Sequence, residues 1–193
     1  MSGPASPESD APLAFTIGHS TRSAEEFVAL LEESRVELLV DVRRHPGSRR
    51  HPQFNRGELE ETLREAGIDY RHEERLGGRR SPSAGESPNR AWESRGFRAY
   101  ADHLLSDRGR RALDELESEA RERRLAVMCA EAVPWRCHRQ IIADHLVARG
   151  VAVRHVMGEG RTDEHSLRPM AEVDGQGRVV YPGTDVEQPE LFE

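Results

Sequence analysis

The chain has no lysine: all 28 of its basic residues are arginine. Schiff-base chemistry on a lysine amine is therefore excluded, and a coding bias explains the pattern better than any special need for guanidinium. Cysteine is nearly absent too, with only Cys129 and Cys137. In a cytoplasmic chain such a pair points to packing, catalysis or metal more than to a structural disulfide. No disulfide is needed, since a chain of 193 residues buries roughly 70% of its unfolded surface on folding. Aromatic residues are only 5%, which counts against an extended surface for stacking bases. No run of about 18 apolar residues is present, so no membrane-spanning helix is expected. Met1–Pro12 lacks a basic stretch followed by an apolar core, so no signal peptide is expected and the expected compartment is the cytoplasm. The phosphate-binding G-x-x-x-x-G-K-[ST] loop, H-E-x-x-H and G-x-S-x-G are all missing. Gly77-Gly78 lacks the strand-to-helix setting of a dinucleotide fingerprint.

The charge that is present is unevenly placed. The net charge is −7, yet residues 41–98 hold 13 arginines against 10 acidic residues. Between Asp41 and Arg56 the bias is sharper: Arg43, Arg44, Arg49, Arg50 and Arg56, with His45 and His51, face Asp41 alone. An acidic chain with one basic segment suggests a local anion site rather than a DNA-coating surface. A solvated loop whose arginines pair with nearby helices fits the charge equally well.

Apolar runs and turn residues order the elements. Ala14–Ile17 reads as a buried strand ended by Gly18-His19-Ser20. Ser23-Ala24-Glu25-Glu26 is a capping box that opens a helix carrying Phe27, Leu30 and Leu31. Val36–Val42 is the clearest strand, and Pro46, Gly47, Ser48 and Pro52 place a loop after it. A helix opens at Asn55–Glu58 and closes at Gly67. Ile68–His72 is a weaker strand, and Leu76–Arg90 reads as a mobile loop. Two helices come next, the first carrying Phe97, Tyr100 and Leu104 and the second starting at Asp107. Leu125–Cys129 is the fourth strand, Pro134 starts a helix ending near Arg149, and Val151–Val156 is the fifth strand.

This alternation predicts a single three-layer α/β domain, with a mostly parallel five-stranded sheet and helices on both faces. The domain is expected over residues 13–158, after a disordered tail at 1–12. An acidic extension is expected at 159–193, in which Ala171–Val173 and Arg178–Tyr181 form a hairpin around Asp174–Gly177.

In an open parallel sheet, ligands bind at the carboxyl ends of the strands. Here those ends carry His19 and Ser20, Asp41 and Arg43, Arg71, His72 and Glu73, Cys129 and Glu131, and His155. The densest constellation is Cys129-Ala130-Glu131 with Cys137-His138-Arg139. Placed in the first turn of the helix after Pro134, Cys137 would have its pKa lowered by the helix N-terminus and by Arg136 and Arg139. Cys129, Cys137, His138 and Glu131 also make a donor set for a metal, though C-x7-C-H is not a familiar zinc spacing. Cys129 as a small hydrophobe, and His138 as a packed histidine on one face with Ile141, Ile142 and His145, are the plain alternatives. A phosphatase-like loop fails on count, because the place where it needs an arginine, counted from Cys129, holds Trp135. Asp41 and Arg43 supply an acid and a guanidinium that could fork a phosphate. They could equally be a buried pair that shapes the loop. His19 and Ser20 would face them if the first two strands are neighbours.

Phe15–Ser20, Asp41-Val42-Arg43, Tyr70 with Leu76-Gly77-Gly78, Cys129-Ala130-Glu131, Cys137-His138-Arg139 and Val179–Pro182 together resemble the domain of unknown function 488 family, over about residues 14–182. The resemblance implies a compact α/β domain and assigns no reaction.

Three functional readings are open. In the first, the protein is an enzyme acting on a phosphate-bearing ligand, a nucleotide or nucleic acid. Arg43, Arg139 and Arg49, with Ser20 and Tyr70, would hold the ligand. Cys129 or Cys137 would be the nucleophile or redox thiol, His19 and Glu131 the acid and base, and Asp41 the orienting group. In the second, Cys129, Cys137, His138 and Glu131 bind a metal or haem. In the third, Arg43–Arg56 and Arg79–Arg98 bind nucleic acid without catalysis. The residues name no cofactor.

Overall fold

The computed structural model describes residues 12–82 and 85–183. Six strands form one sheet: β1 (Leu13–Gly18), β2 (Leu38–Asp41), β3 (Asp69–His72), β4 (Leu125–Cys129), β5 (Ala152–Gly158) and β6 (Arg161–Glu164). Their spatial order is β3-β2-β4-β1-β5-β6. The first five are parallel, and β6 runs antiparallel to β5. A two-stranded hairpin of β7 (Glu172–Val173) and β8 (Val179–Val180) lies near the end of the described chain. The expected mixed α/β fold and hairpin are thus present.

Five α-helices of the described residues cover the sheet: α1 (Ala24–Glu33), α2 (Arg56–Glu65), α3 (Arg95–Leu105), α4 (Asp107–Glu122) and α5 (Arg139–Ala148). Among the described residues, no helix is long and apolar enough to cross a membrane. The capping box forms in full, with the Ser23 hydroxyl accepting from the Glu26 N–H and the Glu26 carboxylate from the Ser23 N–H. Ser106 alone joins α3 to α4 and caps the latter. The two helices meet so closely that a Cβ on Gly109 would lie 2.4 Å from the His103 carbonyl, which restricts that position to glycine.

Side-chain alternation splits the core in two. Leu125, Val127 and Cys129 of β4 face α3, α4 and α5, in a cluster with Leu104, Leu113, Leu116, Ile141 and Leu146. Ala126 and Met128 face α1 and α2, with Phe27, Leu31, Phe54, Leu59 and Leu63. Strands buried on both faces are what near-continuous apolar runs such as Leu125–Met128 specify.

Four expectations need correction. The sheet has six strands and not five. The sequence Arg161–Glu164 is polar and mostly exposed, so no apolar alternation marks this edge strand. Second, β1 and β2 are not neighbours, because β4 inserts between them. Third, Pro134 opens only a short 3-10 turn (Pro134–Arg136); the backbone is extended at Cys137 and α5 begins at Arg139. Fourth, the Leu76–Arg90 loop is held at its two ends, where Leu76 and Asn89 are buried. Asn89 is fully buried, donates to Asp102 Oδ1 and accepts from the Tyr181 N–H. The described part of the extension also packs on the domain, with Val179 and Tyr181 fully buried. The tail at 1–11 lies outside the described residues, as do 184–193.

The order creates a switch point at β4. The chain leaves β4 toward the α5 face, whereas it leaves β1 and β2 toward the α1 and α2 face. Adjacent strands whose connections diverge leave a crevice at their carboxyl ends. Cys129, Ala130 and Glu131 sit at that place.

Candidate metal centre

Cys129 is the last residue of β4 and Cys137 the residue after the 3-10 turn; both are buried. His138 stands at the N-cap position of α5, where its side chain makes no capping hydrogen bond, and is half-buried. One ligand atom from each of the three lies within 4.8 Å of the other two. His138 Nδ1 is 3.6 Å from Cys137 Sγ and 4.0 Å from Cys129 Sγ. The ring is held from the far side, where Nε2 lies 3.3 Å from the Val42 carbonyl. With its proton donated there, Nδ1 presents a lone pair to both sulfurs, the usual outer support of a metal-binding histidine. Tyr100 packs edge-on against the ring at 4.9 Å, and a Cβ on Gly78 would lie 2.9 Å from Nδ1. The imidazole is therefore fixed by its surroundings and not merely nearby.

Arg139 completes the sulfur environment. It is 1% exposed. Its Nε donates to Cys137 Sγ at 3.4 Å, Nη1 donates to Thr16 Oγ1 at 3.3 Å, and Nη2 donates to the Glu131 carbonyl. The two thiols share a proton unequally. The Cys129 S–H is directed at Cys137, which holds Cys137 well below the ordinary thiol range, with the Arg139 guanidinium adding. The same hydrogen bond, together with burial, pushes Cys129 up. The expected depression of Cys137 is thus present. Its main cause is its neighbours, since the residue stands before α5 and not within its first turn.

A second polar cluster occupies the opposite face. Val40 and Val42 point into the α3–α5 core, so Asp41 and Arg43 project toward α1 and α2. The Arg43 guanidinium chelates the fully buried Asp41 carboxylate at 2.7–3.1 Å. It also donates to the Phe54 carbonyl at 2.8 Å, and its Nη1 lies 3.5 Å from His19 Nε2. The Tyr70 hydroxyl donates to Asp41 Oδ2 at 2.9 Å, and burial followed by that carboxylate raises the phenol pKa. His19 stacks on Phe54 at 4.3 Å, and burial, with Arg43 adding, lowers it to about 4. Ser20 holds a positive φ of 50° beside this cluster, with its N–H on the Ala130 carbonyl.

The residues singled out in the sequence are thus divided by the sheet edge. Cys129, Cys137, His138 and Arg139 meet on one face; His19, Asp41, Arg43 and Tyr70 meet on the other. Arg43 and Arg139 are buried and engaged internally, so neither stands as an open anion clamp. Glu131 offers its backbone carbonyl to Arg139, while the residue is exposed and its carboxylate is not among the clustered donors. Arg49 is exposed. Sequence reasoning missed the Val42 carbonyl, Gly78, Tyr100 and Thr16. Thr16 and Gly78 left a signal, as parts of Phe15–Ser20 and of Leu76-Gly77-Gly78. A cleft of about 850 Å³ runs along β5 and β6 past the start of β1, lined by Leu13, Glu33, Glu37 and Arg161 among others.

Comparison with known proteins gives the family of the chain. The family described as "Domain of unknown function DUF488" matches residues 23–146, and the chain belongs to it. No curated protein and no solved structure is matched.

Proposed function

We propose that this DUF488 protein holds a thiophilic divalent cation, zinc first, on Cys129 Sγ, Cys137 Sγ and His138 Nδ1. The spacing of the donors carries the reading. Zinc bonds of about 2.3 Å to sulfur and 2.0–2.1 Å to nitrogen, at a tetrahedral angle, require a sulfur-to-nitrogen separation of roughly 3.6 Å. The separations here are 3.6 and 4.0 Å. Three protein donors leave the fourth position to water or to a substrate atom, as in catalytic rather than structural zinc sites. An ion so held acts as a Lewis acid and lowers the pKa of a bound water. Arg139 and the Val42 carbonyl are the outer groups that keep Cys137 and His138 aimed.

Metal analysis of protein prepared without a histidine tag tests this. One equivalent of zinc is expected, lost together in Cys129→Ser and Cys137→Ser. A protein that stays metal-free in excess zinc, with both thiols alkylating at unchanged rates, overturns it.

A second reading is favoured by the guanidinium at Cys137 Sγ. In it Cys137 is a nucleophilic thiolate toward a phosphate-bearing ligand, a nucleotide or nucleic acid, and exposed Arg49 contributes to anion contact. Selective protection of Cys137 from alkylation by a nucleotide, in metal-free protein, distinguishes this reading from the first.

A further inference from the structure

Outside the three donors runs one buried polar line whose members beyond Arg139 have no part in either reading. It starts at Arg139 and crosses β1, β5 and the segment after β6. Arg139 Nη1 donates to Thr16 Oγ1 at 3.3 Å. Thr16 Oγ1 lies 2.7 Å from His155 Nδ1, and His155 Nε2 lies 2.9 Å from His165 Nδ1. His165 Nε2 lies 2.9 Å from Asp144 Oδ1. The other Asp144 oxygen accepts from the Tyr181 hydroxyl at 2.7 Å and Arg168 Nε at 3.0 Å. Thr16, Asp144, His155 and His165 are all buried.

The chemistry of the groups gives this line one direction. A guanidinium only donates, so Thr16 Oγ1 accepts from Arg139, which leaves its own hydrogen to give to His155 Nδ1 in the order that the Asp144 carboxylate sets from the far end. In that order His155 Nδ1 is bare, and its proton is on Nε2. The Nε2 proton needs an acceptor and finds His165 Nδ1. His165 in turn carries its proton on Nε2 and gives it to Asp144. Each tautomer is thus set by the next group, and the carboxylate at the far end sets them all. Burial holds His155 neutral, with its pKa lowered to about 4, as this order requires.

We infer that Thr16, His155, His165 and Asp144 are positioning residues that hold the Arg139 guanidinium against Cys137 Sγ, and so tune how that sulfur binds metal. The inference rests on the metal reading above. Five buried polar groups joined end to end are more demanding to satisfy than an apolar filling of the same space. Of the five, Arg139 alone reaches the sulfur pair. Outer groups of this kind change metal affinity by about 10–100-fold.

The experiment compares wild-type protein with Thr16→Val, Thr16→Ser and His155→Phe. Zinc affinity is read by competition with a chromophoric chelator. The thiolate-to-metal charge-transfer band is read in the cobalt(II) form. Thr16→Val removes the hydroxyl at nearly constant volume, and about a tenfold loss of zinc affinity with a shifted cobalt band is expected. Thr16→Ser keeps the hydroxyl and restores both. His155→Phe keeps a buried ring without nitrogens, cuts the same line, and serves if Thr16→Val does not fold. A folded Thr16→Val or His155→Phe protein with wild-type affinity and band overturns the positioning role while leaving the metal reading intact. Wild-type protein that takes up neither zinc nor cobalt overturns both.

Discussion

The Arg139 guanidinium is paired with the Cys137 sulfur inside the core. The guanidinium is almost fully buried, and among the described residues no carboxylate lies within ion-pair distance of it. Its Nε instead points at Cys137 Sγ, 3.4 Å away. A charge buried alone costs several kcal/mol, so the pairing favours thiolate over thiol at Cys137. In metal-free protein, Cys137 is therefore expected to alkylate well below about pH 8.5, the ordinary cysteine value. Arg139→Met removes the charge and is expected to move that profile up by about 1 pH unit or more. Mass-spectrometric alkylation across pH reads both, and equal profiles would refute the pairing.

Gly78 limits the His138 ring. Its missing Cβ leaves room for Nδ1, whereas Gly57 has nothing within 4 Å of the same point. Gly78→Ala is expected to displace the imidazole and weaken zinc binding, with little change in unfolding midpoint. Gly57→Ala should leave zinc binding unchanged. Zinc titrations of the two variants side by side check this, and equal affinities would contradict it.

The Asp41–Arg43 pair is buried on both sides. Removing one partner strands the other, so Asp41→Ala is expected to destabilise the fold by about 3–5 kcal/mol. Tyr70→Phe removes one hydrogen bond to the same carboxylate and should cost about 1 kcal/mol. Urea unfolding of both variants decides whether the pair supports the domain. A loss under about 1 kcal/mol in Asp41→Ala would show that it does not.

His145 on α5 is buried, and among the described residues neither ring nitrogen has a hydrogen-bond partner. An unsatisfied buried polar group costs about 1–3 kcal/mol. His145→Leu is therefore expected to raise the unfolding midpoint, and a lower midpoint would show that the ring has a partner after all.

Acid should weaken the fold through its neutral histidines. Burial lowers His19 and His155 to about 4 and His145 to about 3, against an ordinary value of 6.5. Above about pH 6.5 neither the folded nor the unfolded state binds these protons. Below it the unfolded chain takes them up and the native protein does not, so stability falls with pH until about pH 4. Each histidine contributes up to about 1.4 kcal/mol per pH unit in that window. Denaturation curves at about pH 7, 6 and 5 measure the slope. It should be shallower in His145→Leu, and a flat wild-type profile would contradict the assignment.

Legibility in the sequence followed physical locality. The Leu125–Cys129 strand, the Ser23 capping box and the closing hairpin were all readable, because apolar runs, caps and turns act over a few residues. The Cys129, Cys137 and His138 donors could be named as candidates, since only 9 positions separate the first from the last. Strand β6 was not readable, because an exposed edge strand needs no apolar alternation. The insertion of β4 between β1 and β2 was not readable either. Local pattern supplies strands, whereas their order comes from how helices cover the two faces.

The sequence by itself determined an α/β fold with chemically able residues at the strand ends. It also supplied a thiol pair too sparse to be a disulfide framework. Tertiary structure alone decided how those residues sort. Side chains alternate across a strand, so Asp41 and Arg43 turn toward α2 while Cys129 turns toward α5, and one apparent site becomes two. It alone joined Thr16 to His155, which are 139 residues apart in the chain. That contact exists because β1 pairs with β5 in a register that sets the two residues side by side. Register is a property of the assembled sheet, and no short segment of the chain carries it.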